Sequence, residues 1–295
     1  MAEGTRREAL LSGPLPVPEA VVALGDRRYD ISTRALVMAV CNRTPDSFFD
    51  RGAYFALDKF FAHAEQAVHE GADLLDVGGV KAGPGPDVPE SEEMDRVVPA
   101  VEELRRRFDV PVAVDTWRAS VAREAYRAGA VVGNDISGFA DPDYLPAAAA
   151  AGASVVATHI RLAPRVPDPE PVYEDLLGEV KAMLADRARR AVEAGIPAER
   201  VMVDAGLDLG KTAEQSLELL RRSSELAGLG HPLLLSASNK RFVGDVLGLA
   251  VDERRSASLA AAALGASLGC RILRVHDVAG TVRVRDLIAA ILEET

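Results

Sequence analysis

The sequence contains few cysteines, few aromatic side chains and no excess of basic charge, and two of these shortages exclude particular classes of protein. Two cysteines in 295 residues are too few for a disulfide framework, and Cys41 and Cys270 fit no metal-ligand spacing. The 45 acidic residues outnumber the 34 basic ones, and a net charge of −11 disfavours contact with the phosphate backbone of nucleic acid. We therefore expect reduced cysteines and no nucleic-acid partner.

Long apolar runs are also missing. No stretch of 18 apolar residues occurs, so we expect no membrane contact through a spanning helix. The opening segment MAEGTRREALLSG is not followed by the apolar run of a secretion signal, which favours a cytoplasmic protein. Hydrophobic residues nevertheless make up 48% of the chain, enough for a large core. We expect a loose segment over residues 1–20 and a single domain over residues 21–295.

Eight short apolar runs alternate with longer segments of helical periodicity from Leu36 onward, which is typical of parallel βαβ units. The predicted strands cover residues 36–40, 74–78, 112–114, 131–134, 154–159, 201–204, 233–236 and 272–275. Eight such units predict the α/β fold class and, within it, a (β/α)8 TIM barrel. Residues 21–32 predict a short N-terminal hairpin that covers the barrel floor.

Almost every predicted strand ends in a polar side chain, and barrel enzymes carry their active sites at these strand ends. Helix capping or solvation would account for any one of these residues alone, but not for the whole set. The set comprises Asn42, Asp76, Asp115, Asn134, His159, Asp204, Ser238 with Lys240, and Arg274 with His276. The long loop over residues 42–52 is expected to close over them as a lid, with a plain turn as the alternative.

The chemistry of this set fits a flat heterocycle with an anionic tail. Carboxylates accept paired N–H groups, and a lysine donates to a ring carbonyl or nitrogen. Arg274 and His276 are separated by one residue, so in extended backbone both point to one side. We expect them to act as paired cations that bind a phosphate or diphosphate.

Several sequence motifs resemble those of the dihydropteroate synthases and the wider pterin-binding family. They are NRTPDSFFD, LLDVGG, AVDTWRASVA, NDISG, VDAGLDLGK, SASNK and RVHDV, in the order the family has them, from about Ala35 to the C-terminus. The resemblance implies a transferase of folate biosynthesis. In that reaction 6-hydroxymethyl-7,8-dihydropterin diphosphate loses diphosphate while the amine of 4-aminobenzoate attacks the exocyclic methylene.

The resemblance also implies roles for individual residues. The pterin ring would contact Asp115, Asn134, Asp204 and Lys240. Asp76, from its place at a strand end, is expected to bind substrate beside them. The diphosphate would contact Arg274, His276 and Asn42, the last through Mg²⁺. The residues expected to act on the reacting groups are Asp115, Lys240, Arg274 and His276. Family members pair through their last helices, so a homodimer that uses residues 256–269 is expected, although barrel packing explains this Ala-rich segment equally well.

Departures from the family pattern are concentrated on the side of the second substrate. Ala82 and Gly83 stand where the family has Thr and Arg, and Leu209 replaces an aromatic residue. Around Lys240, Asn239 and Arg241 replace Arg and Ser. The pattern is similar to that of divergent second copies in actinobacteria.

Three functions therefore remain open. They are a synthase that uses 4-aminobenzoate or a related amine, a pterin-binding protein with little or no turnover, and a pterin-dependent methyltransferase. The pair of Arg274 and His276, which suits a diphosphate, argues against the methyltransferase.

Overall fold

The computed structural model describes residues 20–44 and 56–293. A two-stranded antiparallel hairpin comes first, formed by β1 (Val21–Leu24) and β2 (Arg27–Asp30). The expected loose segment over residues 1–20 lies, except for its last residue, outside the described residues, as does most of the expected lid over residues 42–52.

Eight parallel strands follow and close into a barrel, in which each strand pairs with the next along the chain and the last pairs with the first. They are β3 (Leu36–Asn42), β4 (Leu74–Gly78), β5 (Val112–Asp115), β6 (Val132–Asp135), β7 (Ser154–Thr158), β8 (Val201–Asp204), β9 (Leu233–Leu235) and β10 (Cys270–Val275). The predicted (β/α)8 TIM barrel with an N-terminal hairpin is confirmed. Asn42 is the last residue of its strand rather than the first residue of a loop.

Helices surround the strands. They are α1 (Leu57–His69), α2 (Glu90–Arg107), α3 (Ala119–Arg127), α4 (Tyr144–Ala150), α5 (Leu176–Glu193), α6 (Ala213–Arg221), α7 (Ser223–Ala227), α8 (Arg241–Leu247), α9 (Arg255–Ser267) and α10 (Val278–Glu293). Local sequence explains several of their ends. Thr212 and Gln215 form a capping box at the start of α6, and α2 begins with glutamates and ends with arginines, which suits the helix dipole.

The hydrophobic core has two layers. The larger one lies between the outer faces of the strands and the helices. The smaller one fills the lower half of the barrel, where Val22 and Ile31 of the hairpin region pack with strand residues such as Met38 and Met202. Ser154 Oγ also donates to the carbonyl of Ala23 at 2.5 Å. The hairpin therefore closes the floor, and the polar upper half of the barrel faces the loops that follow the strands.

No helix in the described ranges combines the length and the apolar character that a membrane crossing requires.

Candidate active site

Arg274 joins two carboxylates at the mouth of the barrel, one on fully buried Asp76 and one on partly buried Asp115. Its Nε donates to Asp76 Oδ2 at 2.6 Å, and its Nη2 donates to Asp115 Oδ2 at 2.7 Å. Asn134 Nδ2 donates to the same Asp76 oxygen at 3.1 Å. Strand register explains the arrangement, because Asp115 lies opposite both Asn134 and Gly78, and Asp76 shares the face of Gly78 two residues earlier. Strands from distant parts of the chain thus bring four predicted site residues together.

Asp76 presents an unused acceptor in this cluster. Its side chain is fully buried, and its Oδ1 has no hydrogen-bond partner among the residues that the structure describes. A buried polar atom without a partner costs about 1–3 kcal/mol, and more when it is charged. A ligand that donates an N–H to Oδ1 would remove this cost.

Asp204 and Lys240 complete the set at the ends of β8 and β9. Asp204 Oδ1 accepts from the Gly206 backbone N–H at 2.8 Å, and Lys240 Nζ donates to the Leu207 carbonyl at 2.8 Å. Burial lowers the pKa of Lys240, while the nearby carboxylates of Asp208 and Asp204 act in the opposite direction. Burial raises the pKa of Asp204, and Lys240 and Arg274 partly counter that effect. Electrostatic contact therefore links this pair to the Arg274 cluster.

Asp115 has a perturbed acidity. Burial raises the pKa of its carboxyl, Arg274 acts to lower it, and the nearby Asp76 raises it again. Two carboxylates share one guanidinium, so neither is fully neutralised by its own cation. Perturbed carboxylates in a strand-end cluster are typical of sites that bind or transform a ligand.

Arg274 and His276 do not converge on a shared anion in this structure. Arg274 points inward to the carboxylates, whereas His276 Nδ1 lies 3.0 Å from Ser238 Oγ. Burial, reinforced by the charge of Arg274, lowers the pKa of His276 to about 3. This pKa disagrees with the expected cationic form of His276, since the imidazole would be neutral near pH 7. The binding of one anion by Arg274 and His276 stays a prediction. The pair supplies one cation and one neutral hydrogen-bonding ring.

Asn42 lies beside a glycine that leaves space for its amide. A Cβ added to Gly78 would come within 2.7 Å of Asn42 Oδ1. Within residues 20–44 and 56–293, no three His, Cys, Asp or Glu side chains form a group that could hold a metal ion. One amide oxygen is a suitable ligand for Mg²⁺, which keeps several waters and binds through few protein groups plus substrate phosphates. Asn42 thus fits a magnesium ion that a substrate phosphate also binds.

Lys211 and His159 form a buried pair. His159 belongs to the predicted strand-end set, whereas Lys211 was not among the predicted site residues. Lys211 is 3% exposed, and its Nζ donates to the carbonyls of Gly206 and Leu209 at 2.9 and 3.0 Å. The same Nζ lies 2.9 Å from His159 Nδ1, which joins the loop after β8 to the end of β7. Burial lowers the pKa of Lys211 to about 7. The sequence signal for Lys211 was the Gly-Lys pair that ends the motif VDAGLDLGK, which begins in β8.

Glu93 lies behind the carboxylate cluster and was not predicted. It is fully buried, and it accepts from Thr116 Oγ1 at 2.6 Å and from Arg118 Nη1 at 2.5 Å. These bonds fix the loop that follows Asp115. Glu93 is one of several glutamates at the start of α2, and nothing in the sequence distinguishes it from its exposed neighbours.

The residues that depart from the family pattern have two different locations. Ala82, Gly83 and Leu209 line one cavity of about 360 Å³, which we name the rim cavity; it is formed by residues from the segments 82–84, 160–169 and 208–211 and by Arg241. Asn239 instead bonds Ser258 of α9, through its backbone N–H at 2.9 Å and its Oδ1 at 3.3 Å. Its φ of +56° is a left-handed conformation that Asn tolerates better than most residues. The change at position 239 therefore affects packing behind the site, whereas the others reshape its rim.

Comparison with known proteins agrees with this geometry. A protein-family model described as pterin binding enzyme matches residues 38–276. The chain is 46% identical over 270 residues to the inactive dihydropteroate synthase 2 of Mycobacterium leprae, covering 88% of this chain and 91% of that protein. It is 40% identical over 263 residues to the dihydropteroate synthase of Bacillus subtilis, covering 88% and 90%.

A solved structure gives the same result in three dimensions. The Yersinia pestis dihydropteroate synthase, crystallised in complex with a sulfonamide drug, superposes with a TM-score of 0.89 at 37% identity. The match covers 93% of this chain and 100% of that one. The protein described here therefore belongs to the family of pterin-binding enzymes, among the dihydropteroate synthases and their divergent second copies.

Proposed function

We propose that this protein is a dihydropteroate synthase-like transferase that binds 6-hydroxymethyl-7,8-dihydropterin diphosphate and joins its methylene carbon to an amine. The observation that carries the proposal is the cluster of Asp76, Asp115, Asn134 and Arg274, with one buried Asp76 oxygen left for a ligand donor. The aminopyrimidinone edge of a pterin presents adjacent N–H donors and a carbonyl acceptor. The cluster offers complementary groups at the ends of adjacent strands.

Each ring contact follows from the atoms that are available. Asp76 Oδ1 accepts a ring or amino N–H, and Asp115 accepts another once Arg274 shifts away from it. The side-chain amide of Asn134 can donate or accept a hydrogen bond. Lys240 donates to a ring nitrogen or carbonyl, and the nearby carboxylates of Asp208 and Asp204 favour its charged form. The ring thereby exchanges bonds with water for charge-assisted bonds in a site of low dielectric.

Arg274 also connects the ring site to the leaving group. Its guanidinium carries five N–H donors, so it can release one carboxylate and bind a diphosphate oxygen. His276 donates or accepts a hydrogen bond there as a neutral ring. Asn42 would hold Mg²⁺ on the diphosphate, and that ion supplies stabilisation of the negative charge that grows on the departing oxygen.

The bond changes are simple. The lone pair of the amine nitrogen forms the new C–N bond at the methylene, the C–O bond to diphosphate breaks, and the nitrogen gives up one proton to solvent. Asp115 stabilises the positive charge that develops on the pterin as the C–O bond lengthens. No covalent enzyme intermediate is required.

A diphosphate-release assay tests the proposal. The protein, the pterin diphosphate, Mg²⁺ and 4-aminobenzoate are mixed, and released diphosphate and the dihydropteroate product are both measured. Lys240→Met is expected to abolish turnover, and Lys59→Met on the exposed face of α1 serves as the matched control. Absence of product from wild-type protein, beside an active synthase under the same conditions, would contradict turnover with this amine.

A second candidate is a pterin-binding protein with little turnover. It is favoured by Ala82 and Gly83, which offer neither a hydroxyl nor a cation at the rim, and by the 46% identity to a relative named as inactive. Loss of one positioned charge from a transition-state shell typically costs about 2.7–4 kcal/mol. Tight pterin binding by calorimetry, without diphosphate release for any amine tried, would establish this candidate.

The assembly and location expected from the sequence belong to the same proposal. We infer a homodimer through α9 and α10, which pack against each other and leave Leu264, Leu287 and Ile291 exposed. Leu287 and Ile291 are four residues apart and therefore share one face of α10. Analytical ultracentrifugation should show a dimer for the wild type and a monomer for Leu287→Glu. A cytoplasmic location is supported by the free, buried thiols of Cys41 and Cys270.

A further inference from the structure

The rim cavity is larger than a single aromatic ring needs. A cavity of roughly 150 Å³ suffices for benzene, whereas the rim cavity encloses about 360 Å³. It adjoins the ring site, because Arg241 on its wall directly follows Lys240 and Lys211 forms part of its lining. A ligand here lies where it can meet the methylene of a bound pterin, and it can carry a branch beyond its ring.

Many of the residues that line the cavity are apolar. Leu162, Val166 and Leu209 line it together with small and proline residues of the loops after β4 and β7. Apolar walls of this kind bind a flat hydrocarbon body, and the few polar groups among them fix its orientation. Among ligands with a flat apolar body, the polar groups of the rim cavity therefore determine which one it binds.

Arg165 contributes a cation from the loop after β7. Its φ of +67° is disfavoured for a residue with a side chain, so the loop is held in this form by its contacts. Arg165 Nη2 donates to the Pro86 carbonyl, which ties this loop to the loop after β4. The same Nη2 and the Nζ of Lys81 both lie 3.1 Å from the position that a Cβ would take at Gly85. Two cationic groups thus approach each other at this rim.

Arg241 contributes a cation from another wall, at the start of α8. It pairs with Asp245 at 3.2 Å, but the two side chains are 72% and 48% exposed. Exposed pairs one helical turn apart contribute little, so the guanidinium can exchange Asp245 for a ligand anion at low cost.

The acidic residues of the cavity are already bound by protein groups. Asp168 accepts two bonds from Arg161, at 2.5 and 2.7 Å. Both oxygens of Asp208 lie within 3.2–3.3 Å of the Phe242 backbone N–H, which donates to them. The cations, by contrast, retain donors for a ligand. Arg165 gives one N–H to Pro86, and among the described residues Arg241 pairs with the half-exposed Asp245.

We propose that the rim cavity is the acceptor site and that Arg165 and Arg241 select an arylamine bearing two anionic groups over one that bears a single carboxylate. The inference rests on the proposed function for its chemistry, since the amine of this acceptor attacks the pterin methylene and displaces diphosphate. It goes further by naming the acceptor class and the two residues that specify it. The apolar wall holds the aryl ring, and the two guanidinium groups bind the two anions.

Calorimetric titration with three amines tests the selection. The probes are 4-aminobenzoate, 4-aminobenzoylglycine, which is longer but has one carboxylate, and 4-aminobenzoyl-L-glutamate, which has two. Each is titrated with and without saturating pterin, so that failure of pterin binding, which contradicts the proposed function, leaves the comparison of amines intact. Arg165→Gln and Arg241→Gln are compared with Arg189→Gln, an exposed arginine that, like Arg241, pairs with a carboxylate one helical turn away.

We expect the dicarboxylate to bind at least tenfold more tightly than either monocarboxylate. Arg165→Gln and Arg241→Gln should each remove most of that advantage and change 4-aminobenzoate binding less than threefold, while Arg189→Gln changes neither. Equal affinity for the three amines, no binding of any of them, or an unchanged preference in both variants would each overturn the inference.

Discussion

Replacement of Asp76 by asparagine tests the ring site at a single atom. In the wild type, Arg274 Nε and Asn134 Nδ2 both donate to Oδ2, and Oδ1 has no partner among the described residues. In Asp76→Asn, the amide oxygen must take the Oδ2 position, because an NH₂ there would face two donors. The NH₂ then lies where the wild type has its unused acceptor, and it opposes the N–H of a bound pterin.

The expected loss of affinity follows from the bond that disappears. A hydrogen bond to a charged group contributes about 1.5–3 kcal/mol, and 1.4 kcal/mol corresponds to tenfold in affinity. The dissociation constant for the pterin should therefore rise by roughly 10- to 150-fold. Arg274 keeps Asp115 as a partner at 2.7 Å, so we expect the variant to remain folded.

Asp73→Asn is the matched control. Asp73 immediately precedes β4, at the opposite end of that strand from the site, and it accepts from the Val37 backbone N–H at 2.7 Å and from Arg285 at 2.8 Å. Its replacement should lower the free energy of unfolding without changing pterin affinity. Calorimetry with the pterin and urea unfolding of both variants provide the comparison. If folded Asp76→Asn binds the pterin within twofold of wild type, the assignment of Oδ1 to the ring is refuted.

Three further predictions concern neighbouring features. Gly78→Ala places a methyl group 2.7 Å from Asn42 Oδ1 and should weaken binding of the pterin diphosphate more than binding of the unphosphorylated pterin. Equal losses of affinity for the two ligands would contradict a role of Asn42 in binding the diphosphate. Burial lowers the pKa of His159 to about 3 from an ordinary 6.5, so the unfolded chain binds more protons between these values and stability falls as the pH drops. This histidine should account for a loss of about 1.3 kcal/mol between pH 7 and 5.5, which His159→Gln should remove from urea unfolding curves; an unchanged pH dependence would contradict it. Gly206→Ala brings a Cβ within 1.9 Å of the His159 carbonyl, whereas Gly152→Ala, at a similar φ, meets nothing within 4 Å. The first should cost more stability than the second by about 1–3 kcal/mol, and equal melting temperatures would be inconsistent with the packing described.

The fold could be predicted because its pattern is local. The segment over residues 36–40 is apolar throughout and buried on both faces, as a barrel strand requires, and the helices between strands carry a separate periodicity. The strand-end residues could be identified by the same logic, since parallel strands bring their carboxyl ends to one edge. Their location at one end of the barrel follows from topology alone.

The contacts within the site could not be predicted in this way. Arg274 reaches Asp76 across 198 residues of sequence, and its inward direction depends on how β10 closes against β3. The neutrality of His276 follows from burial, which spacing does not reveal. Asn239 has a left-handed backbone conformation and bonds Ser258. The presence of an Asn in a loop does not by itself predict that conformation or that bond. These features depend on three-dimensional packing rather than on residue type.

A crystal structure of the complex with a pterin diphosphate and Mg²⁺ would test the central claim most directly. The account predicts that the ring lies in the barrel mouth with a donor within hydrogen-bonding distance of Asp76 Oδ1, that Lys240 contacts the ring, and that Arg274 has turned from Asp115 toward the diphosphate. A pterin bound elsewhere, or one bound while Arg274 still bridges both carboxylates, would contradict it.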